Sequence, residues 1–172
     1  VVLTASATGT PRILLNSTSA EFPNGLGNDQ DQVGRHLMIH PLGFVEGVFD
    51  EELDTDIGPQ GCMIYSLEHY RSEDADHELG YMLHVLRGTG PLEAVRSALL
   101  RRKLKFGASV YDDFDAFHRR QLAVSVICED LPMANNRVML DQTSSDRFGI
   151  AGIKIDYSLQ DNAKKMMTHG MG

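Results

Sequence analysis

Residues able to do chemistry are thinly spread along this chain, so their spacing decides what they can do. Gly88-Thr89-Gly90 follows a strand-like pattern and opens a helix-like one. A dinucleotide fingerprint needs a third glycine three residues on, for close helix–strand packing. Glu93 stands there instead, and its carboxylate would repel a pyrophosphate at the helix start. Gly25 and Gly27 fail likewise, with Gln30 in the third position. Both read as plain turns. Among the seven histidines, His36 and His40 are four apart, but Pro41 pushes residue 40 out of helical space. His77-Glu78 begins like a zinc-protease helix, yet Tyr81 occupies the place of the second ligand. His69, His84 and His118 also lack ligand spacing, so solvated or hydrogen-bonded imidazoles are expected and no metal site. Asp50-Glu51-Glu52 and Ser72-Glu73-Asp74-Ala75-Asp76 read as solvated loops rather than calcium ligands. No G-x-S-x-G nucleophile elbow is present. Arg101-Arg102-Lys103 with Lys105 reads as the wet side or end of a helix, with a docking patch for an anionic partner the weaker reading.

The elements that must position these residues show in the hydropathy pattern. Val1 to Ala5 is a short apolar, β-branched run, read as a buried strand. Thr10-Pro11 gives a hydroxyl cap followed by proline at the first helical position, with Ile13, Leu14 and Leu15 on the apolar side. Residues 18 to 36 are rich in Gly, Asn, Asp and Ser and read as a long ordered surface loop. From about residue 43 the period becomes two: Phe44 to Phe49, Cys62 to Leu67, Leu79 to Leu86 and Leu122 to Cys128 alternate, with Val138/Leu140 and Ile153/Ile155 as shorter strands. Pro91 opens a helix with Leu92, Val95 and Leu99 at helical spacing, and Asp112-Asp113 precede a short one carrying Phe114 and Phe117. Ser158 and Asp161 have capping-box spacing for a last helix. The expected class is α+β: an α/β piece, then a mainly antiparallel sheet flanked by helices.

Composition narrows the function classes. The chain has 172 residues, about one domain's worth, and 42% hydrophobic residues can fill a core. A net charge of −8 argues against nucleic acid, whose recognition leaves a basic footprint. No apolar run approaches the ~18 residues of a transmembrane segment. Cys62 and Cys128 lie far apart, which excludes a Cys-rich zinc module and leaves one disulfide, and the redox compartment, open. The chain opens in what reads as a strand already under way and stops in the first turns of a helix. A piece of a longer chain is therefore expected.

Three stretches in order resemble the glucose–methanol–choline family of FAD-dependent oxidoreductases. Val1 through Ser17, with its small residues, Thr10-Pro11 and a Leu-rich helix, is similar to the family's second signature. Asn24-Gly25-Leu26-Gly27-Asn28 followed by Val33-Gly34-Arg35-His36-Leu37-Met38-Ile39-His40-Pro41 is similar to the crossover read as V-G-R-N-L-x-D-H-P. Glu129-Asp130-Leu131-Pro132, Asn136-Arg137-Val138-Met139-Leu140-Asp141, Gly149-Ile150 and Ile155-Asp156-Tyr157 resemble a substrate domain running back toward the flavin domain. The match is weakest from about 50 to 120. Departures are Ala5-Ser6-Ala7 for the commoner Ala-Gly-Ala, Asn16-Ser17-Thr18 for a Ser-Gly end, and Ile39 for Asp before His-Pro. The gluconate- or sugar-alcohol-dehydrogenase-like branch is the nearest.

The resemblance implies a division into 1–38, part of an FAD-binding domain; 39–157, a substrate-binding domain; and 158–172, a helix returning toward the flavin domain. It implies FAD as cofactor, a small alcohol or sugar as substrate, and the rest of the parent chain as partner. The electron acceptor stays open among oxygen, a quinone and a cytochrome. Ala5, Ser6 and Ala7 would lie against FAD, or else simply pack a strand on a helix. His40 is a candidate cleft residue, with a structural role at the crossover as the alternative. Phe44, Tyr65 and His84 are candidates for the substrate face. The FAD fingerprint and the catalytic histidine of the family would lie outside this chain, so no catalytic residue is expected within it and the isolated chain is expected to be inactive. The rival readings are a non-catalytic binding module derived from such an enzyme and an unrelated α+β hydrolase, for which no nucleophile–base pair is found.

Overall fold

A computed structural model describes residues 1–58, 64–71, 76–87, 90–100, 104–105 and 107–172, the side chains of Glu93 and Ser97 apart. Its elements run α1 (Ser6–Asn16), β1 (Leu42–Val48), β2 (Ile64–Ser66), β3 (Tyr81–Leu86), α2 (Pro91–Leu100), α3 (Val110–Asp115), β4 (Gln121–Cys128), β5 (Arg137–Ser145), β6 (Ala151–Asp156) and α4 (Asp161–Met171). The class is α+β with antiparallel pairing throughout the described sheets, as the alternation implied. Two compact units form: Val1–Ile39 with Asp130–Asp161, and His40–Glu129 with Asn162–Gly172.

The first unit lays α1 on the β5–β6 hairpin. Arg12 fastens the two: its Nε donates to the Ala151 carbonyl at 2.8 Å, and its Nη2 to Asp146 Oδ2 at 2.9 Å and the Ile150 carbonyl at 3.1 Å. Asp146 in turn accepts from the Phe148 and Ile150 amides, which closes the hairpin turn. The loop after α1 is ordered by its own polar side chains. Buried Asn28 donates to the Asn24 carbonyl and accepts from the Val33 amide. Gly34 then runs against β5, its carbonyl accepting from the Val138 amide at 2.8 Å.

Two expectations for this unit fail. Val1 to Thr4 form no strand; they are exposed, and the Val1–Val2 pair has no packing partner to bury its β-branched side chains. The helix starts at Ser6, not at Pro11. Thr10 Oγ1 accepts from the Ala5 amide and Ser6 Oγ from that of Gly9, which supports an extra turn. Proline's missing donor then leaves only the exposed Ala7 carbonyl without its helical partner.

The second unit is a four-stranded sheet in the order β1-β4-β3-β2. Directly opposed residues of antiparallel neighbours share a face. Gly43, Val126, Leu83 and Ser66 therefore form one row, and Phe44, Ser125, His84 and Tyr65 the next, on the opposite side. Helix α4 covers the first side. A Cβ added at Gly170 would stand 2.5 Å from Val126 Cγ1 and 3.0 Å from Tyr81 Cε2, and one at Gly43 would stand 2.7 Å from the Met171 sulfur. This close approach puts Val126, Cys128, Tyr81, Ala163 and Met166 in the core. Helices α2 and α3 make a second small core of Ala94, Ala98, Leu104 and Phe117. The last helix begins at Asp161 rather than at Ser158. Ser158 is held outside it by Asn136, whose Oδ1 accepts the Ser158 amide and whose amide group donates to the Ser158 carbonyl.

Gly34 tests this description of the first unit. Its φ is +84°, and a Cβ there would meet the Val138 carbonyl oxygen at 2.2 Å, so neither backbone conformation nor space admits a side chain. Gly34→Ala is expected to lower stability by more than about 2 kcal/mol in urea unfolding. A loss below about 0.5 kcal/mol would contradict the close approach.

Candidate functional site

Ala5, Ser6 and Ala7 form the entry to α1. Ser6 and Ala7 are exposed and Ala5 half-buried, and Ser6 has a φ of +69°, a left-handed conformation uncommon outside glycine. The first turn carries no acidic side chain, and Ala5 provides no side-chain cap. The Ala5 and Gly9 amides are taken by the Thr10 and Ser6 hydroxyls, and the positive dipole end of the helix lies at an uncharged, small-residue surface.

His40 is exposed and opens the second unit, just before buried Pro41, whose carbonyl accepts the Cys128 amide at 2.9 Å. His36 also leaves the helical region, with φ +57° and its Nδ1 3.1 Å from the Pro132 carbonyl. The pair presents no shared helical face, in line with the effect of Pro41. The three substrate-face candidates do come together: Phe44, His84 and Tyr65 lie in one cross-strand row with Ser125, on the side of the sheet away from α4. Ser125 is the small member, 2% exposed between larger neighbours, with its hydroxyl on the His84 carbonyl. Phe44 and Tyr65 on the edge strands are 57% and 61% exposed. The row joins two aromatic rings to an imidazole and a hydroxyl, a surface able to stack on and hydrogen-bond a small polyol.

Spacing did not reveal Asp130. It is buried, and its Oδ2 accepts both the Ile39 amide at 3.1 Å and the Tyr157 hydroxyl at 2.8 Å, while Oδ1 has no partner. It ties the end of the crossover segment to the end of β6 within the first unit. Burial, then the hydrogen bond to Asp130 and its charge, push the Tyr157 phenol up to about 12. The signal was visible only as Glu129-Asp130-Leu131-Pro132 in the family resemblance, without a partner named for it. In the same unit an open hollow of about 380 Å³ is lined by Leu15, Asn24, Asp31, Arg137, Met139 and Gln142, among others. Asp31 sits there between Arg137 and Arg35, whose hydrogen bonds hold its carboxyl at about 2.

Arg119 gathers Glu52, Asp54 and Asp56 into one ion-pair network. His77 departs from expectation: it is buried, and neither ring nitrogen has a hydrogen-bond partner among the described residues. Residues 76–80 are not helical, and the rings of Tyr81 and His169 lie beside it. Cys128 is a free buried thiol, pushed up to about 11 by burial. Cys62, the Gly88-Thr89 turn, Arg101-Arg102-Lys103 and the acidic residues Glu73 and Asp74 lie outside the described residues. Among the described residues no helix is long and apolar enough to cross a membrane.

No family model matches the chain. Similar curated proteins include a 2-methyl-1,2-propanediol dehydrogenase of Mycolicibacterium austroafricanum, 28% identical over 99% of this chain and 31% of that protein. The fructose dehydrogenase large subunit of Gluconobacter japonicus is 26% identical over 95% of this chain and 30% of its own length. Paromamine 6'-oxidase of Streptomyces fradiae is 25% identical over 91% and 26%. The chain thus spans less than a third of each of these relatives, and each is named as a dehydrogenase or an oxidase.

Tyr157 gives the site a pH signature. A phenol raised in the folded state contributes stability that is present below about pH 10, its unfolded value, and lost as pH rises through about 12. In an absorbance titration of the five tyrosines, Tyr81 and Tyr157 are both expected to titrate late, and Tyr157→Phe should remove one tyrosine's worth of the change near pH 12. A titration complete by pH 10.5 would contradict the buried bond to Asp130.

Proposed function

From the premise that this chain is a segment of a glucose–methanol–choline-type oxidoreductase, we propose that it forms part of the flavin cleft and of the substrate wall in an FAD-dependent enzyme that oxidises an alcohol or sugar CH–OH group. The single observation that carries the reading is the cross-strand row of Phe44, Ser125, His84 and Tyr65 on the side of the sheet that α4 leaves free. The dehydrogenases and oxidases of small hydroxylated molecules to which the chain is similar support it.

The residues at the entry to α1 fit FAD. Small side chains at Ala5, Ser6 and Ala7, with no acid in the first turn, let backbone donors approach a pyrophosphate or a ring edge. When bound, FAD supplies the hydride acceptor. This chain's own part is to bind and orient. Phe44 and Tyr65 offer apolar faces to the carbon skeleton, and His84 offers a hydrogen bond to a hydroxyl group, while buried Ser125 makes room between them. His40, at the start of the substrate unit, is proposed as a cleft residue. The unit of Val1–Ile39 with Asp130–Asp161 belongs with the flavin domain and the unit of His40–Glu129 with Asn162–Gly172 with the substrate domain, so the expected bounds of 39–157 for the substrate domain and 158–172 for a returning helix are not those of the compact units. By itself the chain neither holds FAD tightly nor turns over.

The test uses the parent enzyme. Purified parent should show a flavin spectrum that bleaches anaerobically when its alcohol or sugar is added. Ala7→Asp should reduce bound FAD at least about tenfold through charge at the helix entry. His84→Leu should lower kcat/KM by about tenfold or more while leaving flavin content unchanged. A parent without flavin, or one reduced only through a nicotinamide cofactor, would overturn the reading.

A further inference from the structure

The crossover segment that carries His40 is pinned along its length to residues 127–136. His36 Nδ1 lies 3.1 Å from the Pro132 carbonyl, and the amide of buried Leu37 donates to the Asn136 carbonyl at 2.9 Å. The Ile39 amide donates to Asp130 Oδ2 at 3.1 Å, and the Pro41 carbonyl accepts the Cys128 amide at 2.9 Å. Leu42 then pairs with Ile127 where the β1–β4 ladder begins. His40 stands between the Ile39 and Pro41 anchors. The backbone on each side of it is held, while His40 itself is exposed.

At Ile39 the acceptor is a carboxylate rather than a main-chain carbonyl. Asp130 is short and 7% exposed, so burial and one further bond fix where its oxygens lie. That bond comes from the Tyr157 hydroxyl, which donates to the same Oδ2 at 2.8 Å. Burial, then Asp130, raise the Tyr157 phenol to about 12, so it keeps its proton and stays a donor across the neutral range. Asp130 Oδ1 has no partner among the described residues.

Packing alone does not call for this residue type. Leucine has the same branched outline and would fill the space without the cost of burying a carboxylate. What leucine lacks is an acceptor, and without one the Ile39 amide and the Tyr157 hydroxyl would be stranded. The held amide is one residue from His40, so a shift there passes directly to the imidazole. A group misplaced by about 1 Å at a reacting site costs up to about 100-fold in rate.

We propose that Asp130 is a positioning residue for His40: by holding the Ile39 amide, with Tyr157 holding the carboxylate, it sets the place from which the imidazole meets the alcohol or sugar. The proposal rests on the reading of His40 as a cleft residue. Asp130 touches neither substrate nor cofactor in this account and acts through the main chain. A role confined to stability would lower the amount of folded enzyme. A positioning role lowers kcat/KM of the folded, flavin-loaded enzyme, and only while His40 is present.

A double-mutant cycle in the parent enzyme tests it, with kcat, KM and bound flavin measured for each variant. Asp130→Leu should lower kcat/KM about tenfold or more at unchanged flavin content. Asp130→Asn keeps an acceptor oxygen for Ile39 and should stay within about threefold of the unaltered enzyme. In a His40→Ala background, Asp130→Leu should add less than about twofold, because the group it positions is gone. A full multiplicative loss in that background would overturn the proposal, since Asp130 would then act on the fold and not through His40. So would an Asp130→Leu enzyme with unchanged kcat/KM, or an Asp130→Asn enzyme as impaired as Asp130→Leu. If Asp130→Leu fails to fold, Tyr157→Phe takes its place: a loss of about threefold that vanishes in the His40→Ala background supports the proposal, and one that persists there overturns it. Failure of the underlying reading looks different. His40→Ala at full activity removes the cleft assignment and this proposal together, whereas loss of coupling with an impaired His40→Ala removes this proposal alone.

Discussion

Everything in the second unit follows from how closely α4 approaches the sheet. Gly170 comes within side-chain distance of Val126 and Tyr81, and Gly43 makes room for Met171 on the same side. That contact chooses which side of a two-faced sheet is dry. Alternating residues along β1, β3 and β4 are then sorted by parity: Val126, Cys128 and Tyr81 go into the core, and Phe44, His84 and Ser125 go to the other side. A register shift of one residue would exchange the two sets entirely. The proposed substrate surface is thus a consequence of that packing choice.

In the first unit the equivalent role falls to polar groups. Arg12 bridges helix and hairpin with three hydrogen bonds, two of them to backbone carbonyls. Asn28, Asn136 and Asp130 are buried and spend their side chains on backbone donors and acceptors of neighbouring segments. A loop-rich unit of this size cannot hold its shape through apolar burial alone, since α1 contains no buried residue. Buried amides and carboxylates that satisfy nearby backbone groups supply the order instead.

The sheet was legible because its signal is local. Alternation marked β1, β3 and β4, the short pairs Val138/Leu140 and Ile153/Ile155 marked β5 and β6, and Pro91 marked α2 at its first residue. The failures were also physical. Val1 to Ala5 has strand composition, but composition does not supply a neighbouring strand, and the run stays exposed without one. Pro11 looked like a helix start because proline is favoured at that position; two hydroxyl–amide hydrogen bonds, Thr10 with Ala5 and Ser6 with Gly9, accompany the extra turn before it. Ser158 had capping spacing, yet Asn136, 22 residues earlier, claimed its backbone first. The pairing of Asp130 with Tyr157 was invisible because its members come from separate segments brought together only by folding. By contrast, Phe44, His84 and Tyr65 could be named as candidates, but which face they shared required the register.

The central claim is that the side of the sheet away from α4 fronts the hydroxylated substrate. A structure of the full-length parent with a bound alcohol or sugar analogue measures this directly. The analogue is expected within contact distance of the Phe44–Ser125–His84–Tyr65 row. An analogue bound on the α4 side of the sheet, or remote from the sheet altogether, would contradict the claim.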